Sequence, residues 1–300
     1  MSAIIAIVGP TASGKSNVAL RAAEAFGGEI VSADSRLVYR GLDIGTAKPT
    51  ATEQARVRHH CIDLVDPFHP GSRYDVARYQ RDALAALTDI GARGLPAYVV
   101  GGTGLYIRAL LDGLRLGVLP TDPALRERLE ARGRDEGGTV LHRELAQLDP
   151  AAAARVDARN VRRVVRYLEI ATLVGAVPLA RTTGLAATRI GLAMPRAELD
   201  ARILERVKRM VKDGVIEETR ALIDRGHDPR LPSWSAHGYV HWAAHLRGEV
   251  GLDDAVTATA RDVRAYARRQ LTWFRRDARI VWVDPLHGDP LAQVARGIAA

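Results

Sequence analysis

The sequence contains a single cysteine, Cys61, among its 300 residues. One thiol excludes an internal disulfide and a zinc site built from cysteines. Lysine is also scarce, because only Lys15, Lys48, Lys208 and Lys212 occur among 43 basic residues and the rest are arginine. In such a chain, we expect a lysine that lies within a motif to be required for chemistry.

Long hydrophobic runs are absent as well, since no apolar stretch approaches the ~20 residues that span a bilayer. Residues 4–8 are apolar, but no basic segment precedes them and Gly9-Pro10-Thr11 follows, which favours a core strand over a signal peptide. Hydrophobic residues make up 47% of the chain and the mean hydropathy is −0.09. These values are typical of a globular protein, and we expect a cytoplasmic one without a membrane partner.

The net charge is +8 and the sequence pI is about 10.0. A basic surface favours polyanionic partners such as nucleic acid. The alternative is that an arginine-rich chain only reflects genome composition, and charge alone does not separate the two.

Short apolar segments alternate with helical patterns over the first 111 residues. This alternation predicts a parallel sheet with helices on both faces. Ligands of such sheets bind at the carboxyl ends of the strands, where Gly9, Asp34 and Thr103 follow three of them. The predicted strands are 4–8, 29–33 and 97–100, and the predicted helices are 17–26, 74–91 and 105–111.

A phosphate-binding loop lies between the first strand and the first helix, where the sequence matches G-x-x-x-x-G-K-[ST] in full. Glycines let backbone N–H groups turn inward, and the helix N-terminus and a lysine add positive charge. A chance glycine-rich turn is the alternative. The predicted diphosphate- or nucleotide-binding residues are Gly9, Pro10, Thr11, Ala12, Ser13, Gly14, Lys15 and Ser16, with Mg²⁺ held on Ser16.

The loop predicts phosphate binding without specifying ATP. P-loop nucleotidases carry an acid for the metal at a strand end, whereas the third strand runs into Gly101-Gly102-Thr103. Asp34, after the second strand, is the nearby carboxylate. An acid beside an anion site serves as a metal partner or a proton acceptor, and a turn or helix-cap aspartate is the alternative.

From about Leu116 the pattern changes. Thr121-Asp122-Pro123 predicts a helix start, and the sequence stays helical and arginine-rich to about Arg181. Strand patterns then return at 189–193 and 279–283, with helices at 198–225 and 254–275. We predict an α/β, P-loop NTPase-like core with a parallel sheet (residues 1–116 and 188–300), interrupted by an all-helical insertion domain (residues 117–187).

Several segments, in order along nearly the whole chain, resemble the tRNA dimethylallyltransferase (tRNA isopentenyltransferase) family. GPTASGKS paired with DIGTAKP is the most specific combination. The segments are Gly9–Ser16, Ser32–Pro49, His59–Pro67, Gly101–Tyr106, Leu141–Asp157, Asn160–Ile170 and Arg268–Arg275.

The resemblance implies transfer of the dimethylallyl group of dimethylallyl diphosphate to the N6 amine of the adenosine 3′ of the anticodon, tRNA position 37. Asp34 matches the family's base, and Thr103 a residue that helps to hold the reacting region. Lys15 and Mg²⁺ would stabilise the departing diphosphate. The implied catalytic residues are therefore Asp34, Thr103 and Lys15, and the Gly41–Pro49 loop, with Lys48, could close over the site.

The resemblance also implies an anticodon stem-loop partner, and we separately expect the enzyme to be a monomer. At least two of the arginines 162, 163 and 166 share one helix face, where they would contact tRNA. The alternative is that this is only a basic face exposed to solvent. The implied tRNA-binding residues are Asp34, Ser35, Arg36, Leu37, Thr103, Arg126, Arg162, Arg163, Val164, Val165, Arg166, Ser235, Gly238 and Tyr239.

The chain departs from the family pattern before and after Gly238-Tyr239. Ser235 stands where the family has Gln or Arg, and Val240 where it has Lys or Arg, so we expect contacts that depend on those side chains to differ from the family's. Histidines 237, 241 and 245 have helical, metal-like spacing, but structural or RNA-facing roles are favoured because no adjacent glutamate accompanies them. His59-His60 is interpreted as structural.

Two other classes of function fit parts of the sequence. An adenylate (nucleotide) isopentenyltransferase or small-molecule P-loop kinase would share the phosphate loop but needs no arginine-rich insertion. A non-catalytic RNA- or nucleotide-binding module would not need Lys15, Ser16, Asp34 and Thr103 together.

Overall fold

Within residues 2–69, 74–114, 120–177, 184–226, 234 and 238–299, which the computed structural model describes, six parallel strands form one sheet. The strands are β1 Ile4–Val8, β2 Glu29–Ser32, β3 His59–His60, β4 Ala97–Gly101, β5 Thr188–Leu192 and β6 Ile280–Val283. Their order in the sheet is β3-β2-β4-β1-β5-β6. Every strand thus points its carboxyl end to the same edge.

The chain divides into two compact units. The core unit, Met1–Gly113 with Gly184–Ala300, contains the sheet, and the helical unit is Leu114–Thr183. Core-unit helices are α1 Lys15–Phe26, α2 Ala51–Arg56, α3 Val76–Ala92, α4 Gly104–Leu111, α9 Arg196–Lys212, α10 Val215–Asp224, α11 Tyr239–Leu246, α12 Leu252–Phe274 and α13 Pro290–Ala299. The helical unit contains α5 Pro123–Asp135, α6 Gly138–Leu148, α7 Pro150–Ala153 and α8 Val161–Val174.

The central strands are apolar throughout because helices cover both faces of the sheet. Ile5 and Ile7 of β1 pack with α1 and with Val294 of α13. Ala6 and Val8, which alternate with them, pack on the opposite face with α3 and α4. The predicted parallel α/β core is confirmed, and its first helix begins at Lys15, within the last two residues of the phosphate loop and two residues before the predicted start.

The helical unit has its own apolar core, which includes Leu141 and Leu145 of α6 and Leu168 of α8. The helix start predicted at Thr121-Asp122-Pro123 is confirmed. Asp122 caps α5 by accepting a hydrogen bond from the Leu125 N–H, and Pro123 is the first residue of the helix. Glu169 lies inside this unit with no exposed surface.

Several elements differ from those predicted. The helical pattern over 198–225 splits into α9 and α10, because Gly214 adopts a left-handed conformation (φ 98°) that ends one helix and begins the next. β3 has only two residues, too few for any periodicity, and α13 was not predicted. Among the described residues, no helix is long and apolar enough to cross a membrane.

Candidate active site

The phosphate loop follows β1 and turns into α1 through residues with unusual backbone angles. Gly9 has φ 140°, and a Cβ there would lie 2.4 Å from the backbone oxygen of Leu192. Ala12 and Gly14 are left-handed, at φ 63° and 92°. Glycine is needed at position 9 because β5 approaches too closely for a side chain.

The ends of β2 and β4 bring Asp34 and Thr103 to the same edge as the loop. The backbone N–H of Thr103 donates to the Ala33 oxygen at 3.1 Å, and the Thr103 hydroxyl accepts from the Ser35 N–H at 3.1 Å. Asp34 accepts from the Arg36 N–H at 2.8 Å, which fixes its carboxylate. The hydroxyl of Thr103 thus orders the turn that carries Asp34.

A cavity of about 470 Å³ opens beside the loop. Its polar lining residues include Lys15, Ser16, Asp34 and Arg206, and α9 and α12 also contribute apolar side chains. The lining residues from the loop, the strand ends and segment 45–47 are Thr11, Ala12, Gly14, Lys15, Ser16, Asn17, Asp34, Arg36, Leu37, Gly45, Thr46, Ala47, Val100, Gly101 and Gly102; those from α9 and α12 are Arg202, Ile203, Glu205, Arg206, Val207, Arg209, Met210, Val263, Tyr266 and Gln270.

Two cations share this cavity with one strand-end carboxylate. Burial lowers the pKa of Lys15 from 10.5 to about 7, because the enclosed ammonium loses hydration; Asp34 opposes this shift and Arg206 adds to it. Burial also lowers the pKa of Arg206, and Asp34 again opposes the change. The Lys15 ammonium donates to the Pro10 oxygen at 2.5 Å. Such a site favours a bound anion, which would replace the lost hydration.

Sequence reasoning missed Arg206 and Gln270. The Arg206 guanidinium donates to the Thr11 hydroxyl and to the Thr46 oxygen, each at 3.4 Å. The Gln270 side chain accepts from the Thr11 N–H at 2.8 Å and donates to the Gly102 oxygen at 3.0 Å. Arg206 carries no local motif, whereas Gln270 lies within the RRQLTWFR segment and could have been found there.

The segment 43–48 forms part of the cavity wall, but Lys48 points away from it. Its ammonium donates to the Tyr39 oxygen at 2.7 Å and pairs with Asp43 at 2.6 Å and Asp63 at 2.5 Å. The side chain is 3% exposed. Lys48 therefore fixes the segment from inside, a structural role rather than the chemical one expected of a motif lysine. The same expectation for Lys15 stays a prediction.

A cluster that could hold a metal ion lies at the amino end of β2, away from the phosphate loop. Ligand atoms of Glu29, His60 and Asp89 all lie within 4.8 Å of one another. However, the Arg93 guanidinium bonds to Glu29 and also to Asp89, at 2.7 Å. The hydrogen bond from Arg93 is the largest contribution that lowers the pKa of Glu29 to about 2. The Arg93 guanidinium therefore already neutralises the carboxylates of Glu29 and Asp89.

Two of the three spaced histidines have separate partners. His241 bonds Asp262 through Nε2 at 2.8 Å, and Nδ1 of His245 bonds the Val250 oxygen at 3.1 Å. His237 lies outside the described residues. The described pair supports structural roles rather than shared metal coordination.

The predicted tRNA-binding residues fall into different environments. In the helical unit, Arg162 and Arg163 are exposed, whereas Val164 and Val165 are 0% and 2% exposed and belong to its apolar core. Buried valines hold α8 in place and offer no surface to RNA.

Arg126 and Arg166 both bind the buried Glu169, each through a 2.7 Å contact. Their side chains keep 29% and 27% exposure. They are therefore fixed by an internal acid and present only part of each guanidinium to solvent.

In the core unit, Ser35, Arg36 and Leu37 lie in the turn after Asp34. Tyr239 is fully buried, and its hydroxyl donates to Glu218 at 2.6 Å. Gly238 is left-handed, at φ 106°, and caps α11. Ser235 lies outside the described residues.

A parallel α/β sheet with a phosphate loop and a cavity at the carboxyl ends of its strands defines a P-loop enzyme. The sequence model described as IPP transferase matches residues 37–277. The chain belongs to the IPP transferase family.

Named relatives cover almost the whole chain. It is 47% identical over 289 residues to a tRNA dimethylallyltransferase of Thermomicrobium roseum, covering 94% of this chain and 86% of the relative. It is also 47% identical over 300 residues to one of Anaeromyxobacter dehalogenans, covering 98% of each.

Two solved structures of proteins with such names are also similar to this chain. The full-length tRNA isopentenylpyrophosphate transferase of Bacillus halodurans has 40% identity and a TM-score of 0.73, covering 100% of this chain and 97% of that one. A eukaryotic dimethylallyltransferase acting on tRNA has 25% identity and a TM-score of 0.78, covering 100% of this chain and 78% of that one.

Proposed function

We propose that this protein transfers the dimethylallyl group of dimethylallyl diphosphate to the N6 amine of adenosine at tRNA position 37. The observation that carries the proposal is one cavity whose lining combines cationic, carboxylate and apolar side chains. Lys15 and Arg206 suit the diphosphate, Asp34 suits the amine, and apolar residues of α9 (Ile203, Val207 and Met210) suit the hydrocarbon.

Asp34 acts as the base in this proposal. The adenine amine is a weak nucleophile because its lone pair is delocalised into the ring. As the C1–N6 bond forms, the C1–O bond breaks, its electron pair leaves with the diphosphate, and the N6 proton passes to Asp34. The Arg36 N–H and the turn ordered by Thr103 hold that carboxylate in place.

The departing diphosphate gains charge, which Lys15, Arg206 and the loop amides stabilise. Ser16 lines the same cavity as Lys15 and Arg206. A serine hydroxyl together with phosphate oxygens forms a donor set that fits Mg²⁺. When bound there, Mg²⁺ would supply further neutralisation of the leaving group.

The nucleic-acid partner is proposed from charge, from the exposed Arg162 and Arg163 of α8, and from the relatives, which are named for tRNA. Drawing a base out of its stack costs a few kcal/mol, which arginine contacts to flanking phosphates would offset. We propose a cytoplasmic monomer for this reaction, and we assign the RNA-binding role to the helical unit.

The test is transfer of label from radiolabelled dimethylallyl diphosphate. We expect the label on an anticodon stem-loop with adenosine at position 37, and none on the same loop with guanosine there. AMP is the matched small acceptor. Labelling of AMP alone would replace the proposal with a nucleotide prenyltransferase, and labelling of neither would contradict both.

A further inference from the structure

A carboxylate outside the cavity holds the segment that forms one of its walls. Glu218 of α10 accepts hydrogen bonds from three consecutive backbone N–H groups, those of Asp43 at 2.8 Å, Ile44 at 2.7 Å and Gly45 at 3.0 Å. The Tyr239 hydroxyl of α11 donates a fourth at 2.6 Å. Residues 43–45 belong to no helix or strand, so the side chain supplies acceptors that secondary structure would otherwise provide.

The tyrosine in this arrangement also fixes the segment by contact. A Cβ at Gly45 would lie 2.6 Å from Cζ of the Tyr239 ring, so the ring packs directly on the Gly45 backbone. Burial is the main cause that raises the pKa of Tyr239 well above its usual value, and the neighbouring Glu218 adds to it. The phenol therefore stays protonated and remains a donor to Glu218.

The held segment leads directly into the cavity. Gly45, Thr46 and Ala47 line it, whereas Glu218 itself does not. The Thr46 oxygen accepts from the Arg206 guanidinium, which also donates to Thr11 of the phosphate loop. A change in segment 43–46 would thus alter the orientation of a cation that faces the phosphate loop.

We propose that Glu218 is a positioning residue, which fixes segment 43–46 so that Thr46 orients Arg206 toward the diphosphate. This inference rests on the proposed function. It predicts a defect in binding the diphosphate substrate rather than in binding RNA, because the contacts of Glu218 lead to the phosphate side of the cavity.

The first test compares Glu218→Gln with Glu217→Gln, an exposed neighbour on the same helix with the same loss of charge. The amide nitrogen that Glu218→Gln introduces cannot accept a hydrogen bond, so at least one of the four donors loses its partner. We expect hydrogen exchange at residues 43–45 to accelerate about tenfold in Glu218→Gln, as for local opening. Glu217→Gln should exchange like the wild type.

The second readout separates positioning from a loss of folded protein. In Glu218→Gln we expect the KM for dimethylallyl diphosphate and the Kd for inorganic diphosphate to rise about tenfold, with the KM for the stem-loop unchanged. A smaller active fraction would lower kcat without moving KM. Wild-type exchange together with wild-type KM and Kd would overturn the proposal, and so would equal increases in the KM for both substrates.

Tyr239→Phe provides a second variant if Glu218→Gln does not fold. It removes one donor and keeps the ring on Gly45, so smaller changes in the same direction are expected in exchange and in both diphosphate constants. Values equal to those of the wild type would overturn the proposal. Wild-type protein that binds inorganic diphosphate but transfers no label would contradict the proposed function instead, while the exchange comparison still reports on Glu218.

Discussion

At the scale of single residues, Asp34 and Glu205 are two carboxylates of one cavity with different surroundings. Asp34 follows β2 and accepts from the Arg36 backbone, whereas Glu205 is an exposed residue of α9 that pairs with Lys208 at 3.4 Å. Asp34 also influences the pKa of both Lys15 and Arg206. A carboxylate at a strand end, in the same cavity as two cations, suits the proposed proton acceptor beside a leaving anion.

We expect Asp34→Asn to lower kcat by roughly 10²–10⁴-fold, the usual contribution of a positioned base. The affinity for inorganic diphosphate should stay within about threefold of wild type, because the cations and loop amides remain in place. Single-turnover transfer and equilibrium binding measure the two effects. Glu205→Gln is the control for charge in the same cavity, and an equal loss of kcat in that variant would contradict a specific role for Asp34.

Lys15 gives a pH dependence whose sign follows from its lowered pKa. Above about pH 7 the free protein carries a neutral Lys15, and a bound diphosphate raises that pKa again, so binding takes up a proton. The affinity for dimethylallyl diphosphate should therefore fall as pH rises, by up to about tenfold per pH unit between pH 7.5 and 9. Calorimetry in buffers of different ionisation enthalpy would measure the uptake.

Lys15→Arg is the matched variant, because a guanidinium stays charged throughout this range. Its binding should lack the proton uptake of the wild type even if it is weaker overall. Equal uptake in both proteins would assign the proton to another group.

The contrast between Lys15 and Lys48 shows what residue patterns can predict. Both lysines lie in family segments of a chain with few lysines, and only Lys15 also lies in a strand-loop-helix context that predicts a ligand for phosphate. Lys48 is satisfied by Asp43 and by Asp63, which is 15 residues further along the chain. Arg206 meets Thr11 from 195 residues away, and no periodicity or spacing encodes such a contact.

At the scale of elements, prediction succeeded where a pattern and its boundaries are local. β1 was readable because it is buried on both faces, and α1 because its start is fixed by the phosphate loop. α8 carried its own start signal, since Asn160 accepts from the Arg163 N–H. β3 was not predicted, because its two residues carry no pattern of their own and form a strand only by pairing with β2.

α8 also separates its residues by face, which leads to a prediction about RNA. Arg162 and Arg163 point outward while Val164 and Val165 are buried. We expect Arg162→Ala combined with Arg163→Ala to weaken stem-loop binding and to reduce the slope of log K against log salt by roughly 1–2, for two lost phosphate contacts.

Arg159→Ala is the control for this pair. Arg159 is also exposed near the start of α8, but its guanidinium pairs with Asp157 at 2.7 Å. Its loss should leave the salt slope close to that of the wild type. A double variant with an unchanged slope would show that these arginines form only a solvated basic face.

At the scale of the whole molecule, the helical unit is inserted between two chain positions that meet in the core unit. The Leu185 N–H donates to the Leu111 oxygen at 2.8 Å, and a Cβ at Gly184 would lie 3.0 Å from that same oxygen. The chain therefore leaves and re-enters the core unit at nearly the same point. Such an insertion can be removed without stretching the remaining backbone.

We expect a variant in which Gly113 is joined directly to Gly184 to retain the phosphate loop, Asp34, Arg206 and Gln270, all of which lie in the core unit. Its Kd for inorganic diphosphate should stay within about threefold of wild type, because no group that binds the anion is lost. Its affinity for the anticodon stem-loop should fall by at least about 100-fold, since the arginines of α8 are gone. Circular dichroism would verify the fold. Retained stem-loop affinity in the folded variant would assign RNA binding to the core unit, and lost diphosphate binding would show that the cavity depends on the insertion.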